Sequence, residues 1–172
     1  MINKVKEMVK RGEYIIICLV APNLWSCANR APYIGYFLVY KDGFFIIYYT
    51  EDTEKGFKDL YEKGKLTEIL KSEYLSVALQ HLDAFREELS EKYDCLFEIR
   101  WFLMPYDCQY WEKVYKPEDT GYEYGVGRIG ENWFIWRRYC FMREMCEPLE
   151  IIEASVSVED IKEKLKELER FL

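Results

Sequence analysis

The chain has 172 residues, half of them hydrophobic and 32 % charged, and its 24 Lys and Arg against 31 Asp and Glu leave a net charge of −7. That length predicts one domain with a substantial core. The acidic balance excludes non-specific nucleic-acid binding, which needs a basic footprint, and no apolar run approaches the roughly 18 residues of a membrane helix.

Residues 2–11 predict a short helix capped by Asn3, with Val5, Met8 and Val9 on one side and a small basic patch of Lys4, Lys6, Lys10 and Arg11 on the other. The stretch MINKVKEMVKRGEY holds no apolar segment of signal-peptide length, which predicts a cytoplasmic protein. Residues 14–20 form a continuous apolar run suited to a central strand. Residues 22–32 are a loop with Trp25, Asn29 and Arg30. Residues 33–50, YIGYFLVYKDGFFIIYYT, predict a hairpin turning at Asp42-Gly43, a pair that supplies the positive φ of a type I′ turn. Both arms are apolar on both sides, which predicts a mid-sheet place with helices over one face and a loop, a second sheet or a partner over the other.

A short helix is expected over residues 57–63, and a longer one from Thr67 or Ser72 to Lys92. In the longer helix Leu75, Ala78, Leu79, Leu82, Phe85 and Leu89 follow three-and-four spacing. Residues 96–104 alternate as a half-buried strand. Residues 104–121 read as a long acidic, aromatic loop, and such loops are often functional. A second hairpin is expected over residues 122–142, turning near Gly130-Glu131-Asn132, followed by a strand at 148–153 and a helix from Val158 to about Phe171, capped by Ser157. The fold class is therefore α+β: a mainly antiparallel twisted sheet of six to seven strands, two long amphipathic helices and a short N-terminal helix, in a single domain over 1–172. The order strand, loop, hairpin, helix recurs in 14–91 and 95–171, a pattern that fits simple αβ regularity as well as a decayed internal repeat.

Reactive groups are few. None of the six cysteines, Cys18, Cys27, Cys95, Cys108, Cys140 and Cys146, forms a CxxC pair, and free thiols are expected, with Cys18 and Cys140 as small core residues. His81 is the only histidine. A zinc site of the His₂ type is excluded, and no metal or cofactor is expected. A hydrolase alternative stays open, cysteine-dependent through a pairing of His81 with Cys27 or Cys108, or carboxylate-dependent. Glu51, Asp52 and Glu54 read as a solvated turn. Gly125-Val126-Gly127-Arg128-Ile129-Gly130 matches GxGxxG but precedes the strand-like WFIW, so it reads as a hairpin whose glycines allow close backbone approach.

The 104–121 loop carries the candidate partner-binding residues: Tyr106, Asp107, Tyr110, Trp111, Glu118 and Asp119, surrounded by Glu112 and Glu123. Arg137, Arg138 and Arg143 oppose this acidity. Arg137 and Arg138 point to opposite faces of a strand, so one is expected to meet an internal carboxylate.

Residues 28–56 resemble small bacterial immunity proteins of polymorphic-toxin systems. The matching residues are Asn29, Arg30, Tyr33, Gly35, Tyr36, Lys41, Asp42, Gly43, Tyr48 and Thr50. The resemblance implies a non-enzymatic cytosolic inhibitor that occludes a cognate toxin domain, and the acidic surface suits a basic one. A secretion chaperone or other small acidic adaptor is the second binding alternative.

Overall fold

The computed structural model describes residues 7, 11, 14–28, 30–52, 54–142 and 145–172. Most of the expected 2–11 helix lies outside them, as do Asn29 and Arg143.

The first sheet has the order β4-β3-β2-β1-β5 and is antiparallel throughout. Its strands are β1 (Ile15–Pro22), β2 (Gly35–Lys41), β3 (Phe44–Thr50), β4 (Thr67–Ser72) and β5 (Phe97–Trp101). Asp42 (φ 52°) and Gly43 (φ 83°) make the two-residue turn between β2 and β3, the conformation that matches the twist of the strands. That hairpin sits mid-sheet, and its two apolar faces are both covered. Phe37, Val39, Ile46 and Tyr48 meet Phe57 and Leu60 of a short helix, α2 (Phe57–Glu62). Leu38, Phe45 and Ile47 face α3 (Leu75–Tyr93) and the second sheet. A four-residue helix, α1 (Leu24–Cys27), follows β1. Asn23 Oδ1 caps it by accepting from the Ser26 N–H at 2.9 Å, and a disulfide joins its Cys27 to Cys95.

The second sheet has the order β10-β8-β7-β6, with β9 added beside β8. It comprises β6 (Tyr110–Tyr115), β7 (Gly121–Ile129), β8 (Asn132–Met142), β9 (Met145–Cys146) and β10 (Glu150–Ser155). One face gives Phe134 and Trp136 to the core shared with the first sheet and α3; the other packs Val126 and Ile135 on Ile161 of α4 (Val158–Glu169). On α3 the stripe of Leu75, Ala78, Leu82 and Leu89 is buried, and each buried Leu contributes about 1.5–3 kcal/mol. Its N-cap, Tyr74, makes no side-chain cap hydrogen bond. Asn132, buried at the β7–β8 turn, supplies one: its Oδ1 accepts from the Leu75 N–H and its Nδ2 donates to the Glu73 carbonyl, both at 2.9 Å.

The α+β class holds, but the described residues form ten strands in two sheets rather than six or seven in one. Three strands account for most of the difference. Residues 67–72 are β4, not the start of the long helix. TEILKS pairs with β3 at the sheet edge, where it stays largely exposed and shows no apolar–polar alternation. Within the expected loop, residues 110–115 pair with β7 as β6, and residues 145–146 add β9. Because β5 pairs with β1, a division at residues 91–95 does not separate the two sheets.

Candidate docking edge and adjoining cavity

β6 is an edge strand, and all six of its residues are exposed. Tyr110, Trp111, Val114 and Tyr115 each remain 39–40 % exposed, a concentration of large apolar groups that monomeric surfaces rarely carry without a use. The strand is held by rings beneath it. Trp111 lies 5.8 Å from Trp136, and Tyr110 lies 5.4 Å from Trp133. The Tyr110 hydroxyl donates to Glu112 at 2.6 Å.

The glycines of the GxGxxG stretch make this packing possible. β7 pairs Gly125 with Trp136 and Gly127 with Phe134. A Cβ at Gly127 would lie 2.5 Å from the Phe134 ring, and one at Gly125 would be closer still to both Trp136 and the Glu112 carbonyl. Both rings thus occupy the space that a side chain at these two positions would need. Gly130 (φ 57°) closes the turn against Tyr40 of β2. The motif is a packing device between strands, with no helix N-terminus to hold a phosphate.

Register also decides the charge pattern. β7–β8 pairing sets Glu123 opposite Arg138. Glu123, only 3 % exposed, accepts from Arg138 Nε at 2.8 Å and meets Lys113 Nζ at 3.4 Å. This is the internal carboxylate expected for one of the two arginines; Arg137 pairs at the opposite face with Glu150. Arg138 and Lys113 also lie 5.9 and 5.7 Å from the Trp111 ring. Beside this triad opens a cavity of about 670 Å³, lined among others by Lys116, Glu118, Asp119, Cys140, Met142 and Cys146.

The six candidate residues therefore separate. Trp111, Glu118 and Asp119 gather around the cavity and its edge. Tyr110 shares the strand but projects from the other face. Tyr106 and Asp107 lie in a 3₁₀ turn (Pro105–Asp107), half-buried and buried respectively. Asp107 Oδ2 accepts from the Met104 N–H at 2.9 Å while Oδ1 has no partner, and burial pushes its carboxyl up to about 6. Lys113, Arg138, Cys140 and Cys146 were not candidates. Strand registry brings them to the site, and the legible signal was the pairing of Glu123 with Arg138 across the 130–132 turn.

The cysteines differ from expectation. Cys27–Cys95 and Cys140–Cys146 are disulfides. Cys140 is buried as expected, but bonded. Cys18 is a buried core thiol. Burial pushes the Cys108 thiol up to about 12, with the neighbouring Asp107 charge adding to it, and burial raises Cys18 as well. His81 is exposed on α3, with its ring 6.0 Å from Phe85. The candidate nucleophile Cys27 is thus bonded, and the free thiols are held protonated, the opposite of what nucleophilic work requires.

No protein family matches the sequence, and neither a curated protein nor a solved structure matches it. No helix among the described residues is long and apolar enough to cross a membrane.

Proposed function

We propose that this chain is a non-enzymatic binding protein that recognises a partner protein through β6 and the β6–β7 turn, acting as an immunity protein that occludes a toxin domain. The observation that carries the reading is the edge strand β6, exposed at every residue and carrying Trp111. Such an edge offers unpaired backbone groups and aromatic anchors together. The exposed Glu112, Glu118 and Asp119 favour a basic partner, and opposite charge chiefly speeds encounter.

A second copy of the chain is a poor occupant. Directly opposed residues share a sheet face, so antiparallel self-pairing about a two-fold axis must centre on a residue. The two registers that use most of β6 would set Glu112 against Glu112 or Lys113 against Lys113. Like charges directly opposite are destabilising.

A cytoplasmic location, and with it free thiols, was expected because residues 1–14 hold no apolar segment of signal-peptide length. Four bonded cysteines favour an oxidising compartment for the folded protein.

The test is calorimetric titration of the wild type and two variants against any toxin domain found encoded beside this chain. Trp111→Ala should weaken binding by about 30-fold or more, the roughly 2 kcal/mol of a central anchor, and Asp119→Ala should mainly slow association. Unchanged affinity in both variants, at unchanged melting temperature, overturns the surface assignment. Rapid labelling of Cys108 at neutral pH would instead favour the cysteine hydrolase.

A further inference from the structure

We propose that Glu123, Cys140 and Cys146 form a redox-gated zinc site at the wall of the cavity: closed as a disulfide, and competent for one zinc ion when reduced. The inference is independent of any partner at β6.

Three observations converge. The Glu123 carboxylate and the two sulfurs offer donor atoms that all lie within 4.8 Å of one another. The donors come from three adjacent strands of one sheet, β7, β8 and β9, so ladder pairing rather than a loop sets their positions. All three line the same cavity, so an ion held there has a route in and a face left open.

The chemistry of the set selects the metal. Two thiolates and a carboxylate suit zinc and are poor ligands for magnesium or calcium, which take oxygen donors. Tetrahedral zinc with bonds of about 2.3 Å to sulfur holds its thiolates about 3.8 Å apart. Once the S–S bond opens, that separation is reachable by side-chain rotation between strands already paired at Cys140 and Cys146. Three protein donors with a fourth position toward an open cavity is the arrangement of reactive zinc sites, not of sealed structural ones.

Charge is the evident objection, since Arg138 and Lys113 both contact Glu123. Two thiolates and one carboxylate carry three negative charges, and one zinc ion neutralises two. Arg138 and Lys113 offset the remainder in a place where unbalanced charge is costly. Each carboxylate oxygen accepts more than one contact, so Glu123 can ligate while they hold and orient it as outer partners.

The gate balances as a two-electron step. A dithiol reductant transfers two electrons and two protons to the Cys140–Cys146 bond, giving two thiols and the reductant's own disulfide. Zinc binding then releases the two thiol protons. Oxidation by a disulfide-forming catalyst reverses the gate and expels the ion.

The decisive experiment uses the full-length wild-type chain, oxidised and then reduced with excess dithiol under argon, with the reductant removed before zinc is titrated against a chromophoric chelator. Reduced protein should take up one equivalent of zinc and oxidised protein none. With zinc present, alkylation read by peptide mass spectrometry should spare Cys140 and Cys146 while Cys27 and Cys95 still react. Cys140→Ser should abolish uptake, Cys27→Ser should not, and Glu123→Gln should weaken it by at least about tenfold. Absence of stoichiometric uptake by the reduced wild type, or zinc protection of Cys27 and Cys95 instead, overturns the site. The alkylation pattern needs no variant, so the outcome stands even where Glu123→Gln fails to fold.

Discussion

Gly125→Ala tests how tightly the docking edge is built onto the core. Gly125 sits beneath the Trp136 ring, which is fully buried. An added methyl would fall nearer than the 2.5 Å found at Gly127 to two neighbours, the Trp136 ring and the Glu112 carbonyl oxygen of β6. Neither can yield cheaply. The ring fills the core against Phe134 and its neighbours, and the carbonyl belongs to the backbone of the edge strand. Overpacking costs about 1–3 kcal/mol, and two rigid neighbours put this case near about 3 kcal/mol. For a domain of this size 1 kcal/mol lowers the melting temperature by about 2–4 °C, so the loss should be about 6–12 °C. Differential scanning calorimetry and urea titration of the oxidised protein measure it. Gly56→Ala is the control: no atom lies within 4 Å of a Cβ placed there, and at this N-cap of α2 the change should cost no more than about 1 kcal/mol. A Gly125→Ala protein melting within about 2 °C of wild type would refute the stacked geometry of β6, β7 and Trp136.

Two further outcomes follow from buried groups and cross-links. The Asp107 carboxyl sits at about 6 in the fold against 3.8 when free, so the folded state holds its proton more tightly; the contribution of this group to stability should be greatest below about pH 4 and be lost as pH rises through 6. A shift of this size corresponds to about 3 kcal/mol at most, and solvent screening lowers the expectation to about 1–2 kcal/mol. Urea midpoints between pH 4 and 7 measure it, and Asp107→Asn should flatten that slope; an unchanged slope in the variant removes Asp107 as its source. In the chain-entropy account, the Cys27–Cys95 bond, with its sequence separation of 68, contributes about 4 kcal/mol, and the Cys140–Cys146 bond, with a separation of 6, about 2 kcal/mol. Cys95→Ser should therefore lower the urea midpoint more than Cys146→Ser, and the reverse order would contradict the pairing.

Local chemistry was legible wherever neighbours in sequence decide it. Asp42-Gly43 dictated its turn because few other pairs adopt positive φ cheaply. The stripe from Leu75 to Leu89 identified α3 by period alone, and Ser157 marked the start of α4. The dense aromatic arms around Asp42-Gly43 announced a strand pair buried on both sides. The glycine motif was legible too, because a strand, not a helix, followed it.

What the sequence could not decide was who pairs with whom. Edge strands such as TEILKS and YWEKVY carry weak patterns, because exposure on both faces removes the alternation that burial imposes. Their existence depends on β3 and β7 offering free ladder positions. The split into two sheets, the disulfide between residues 68 positions apart, and the contact of Lys113 with Glu123 all join residues whose separation in the chain says nothing of their distance in space. Only the closed fold, with its registers set by burial on both sides of the first sheet, brings them together.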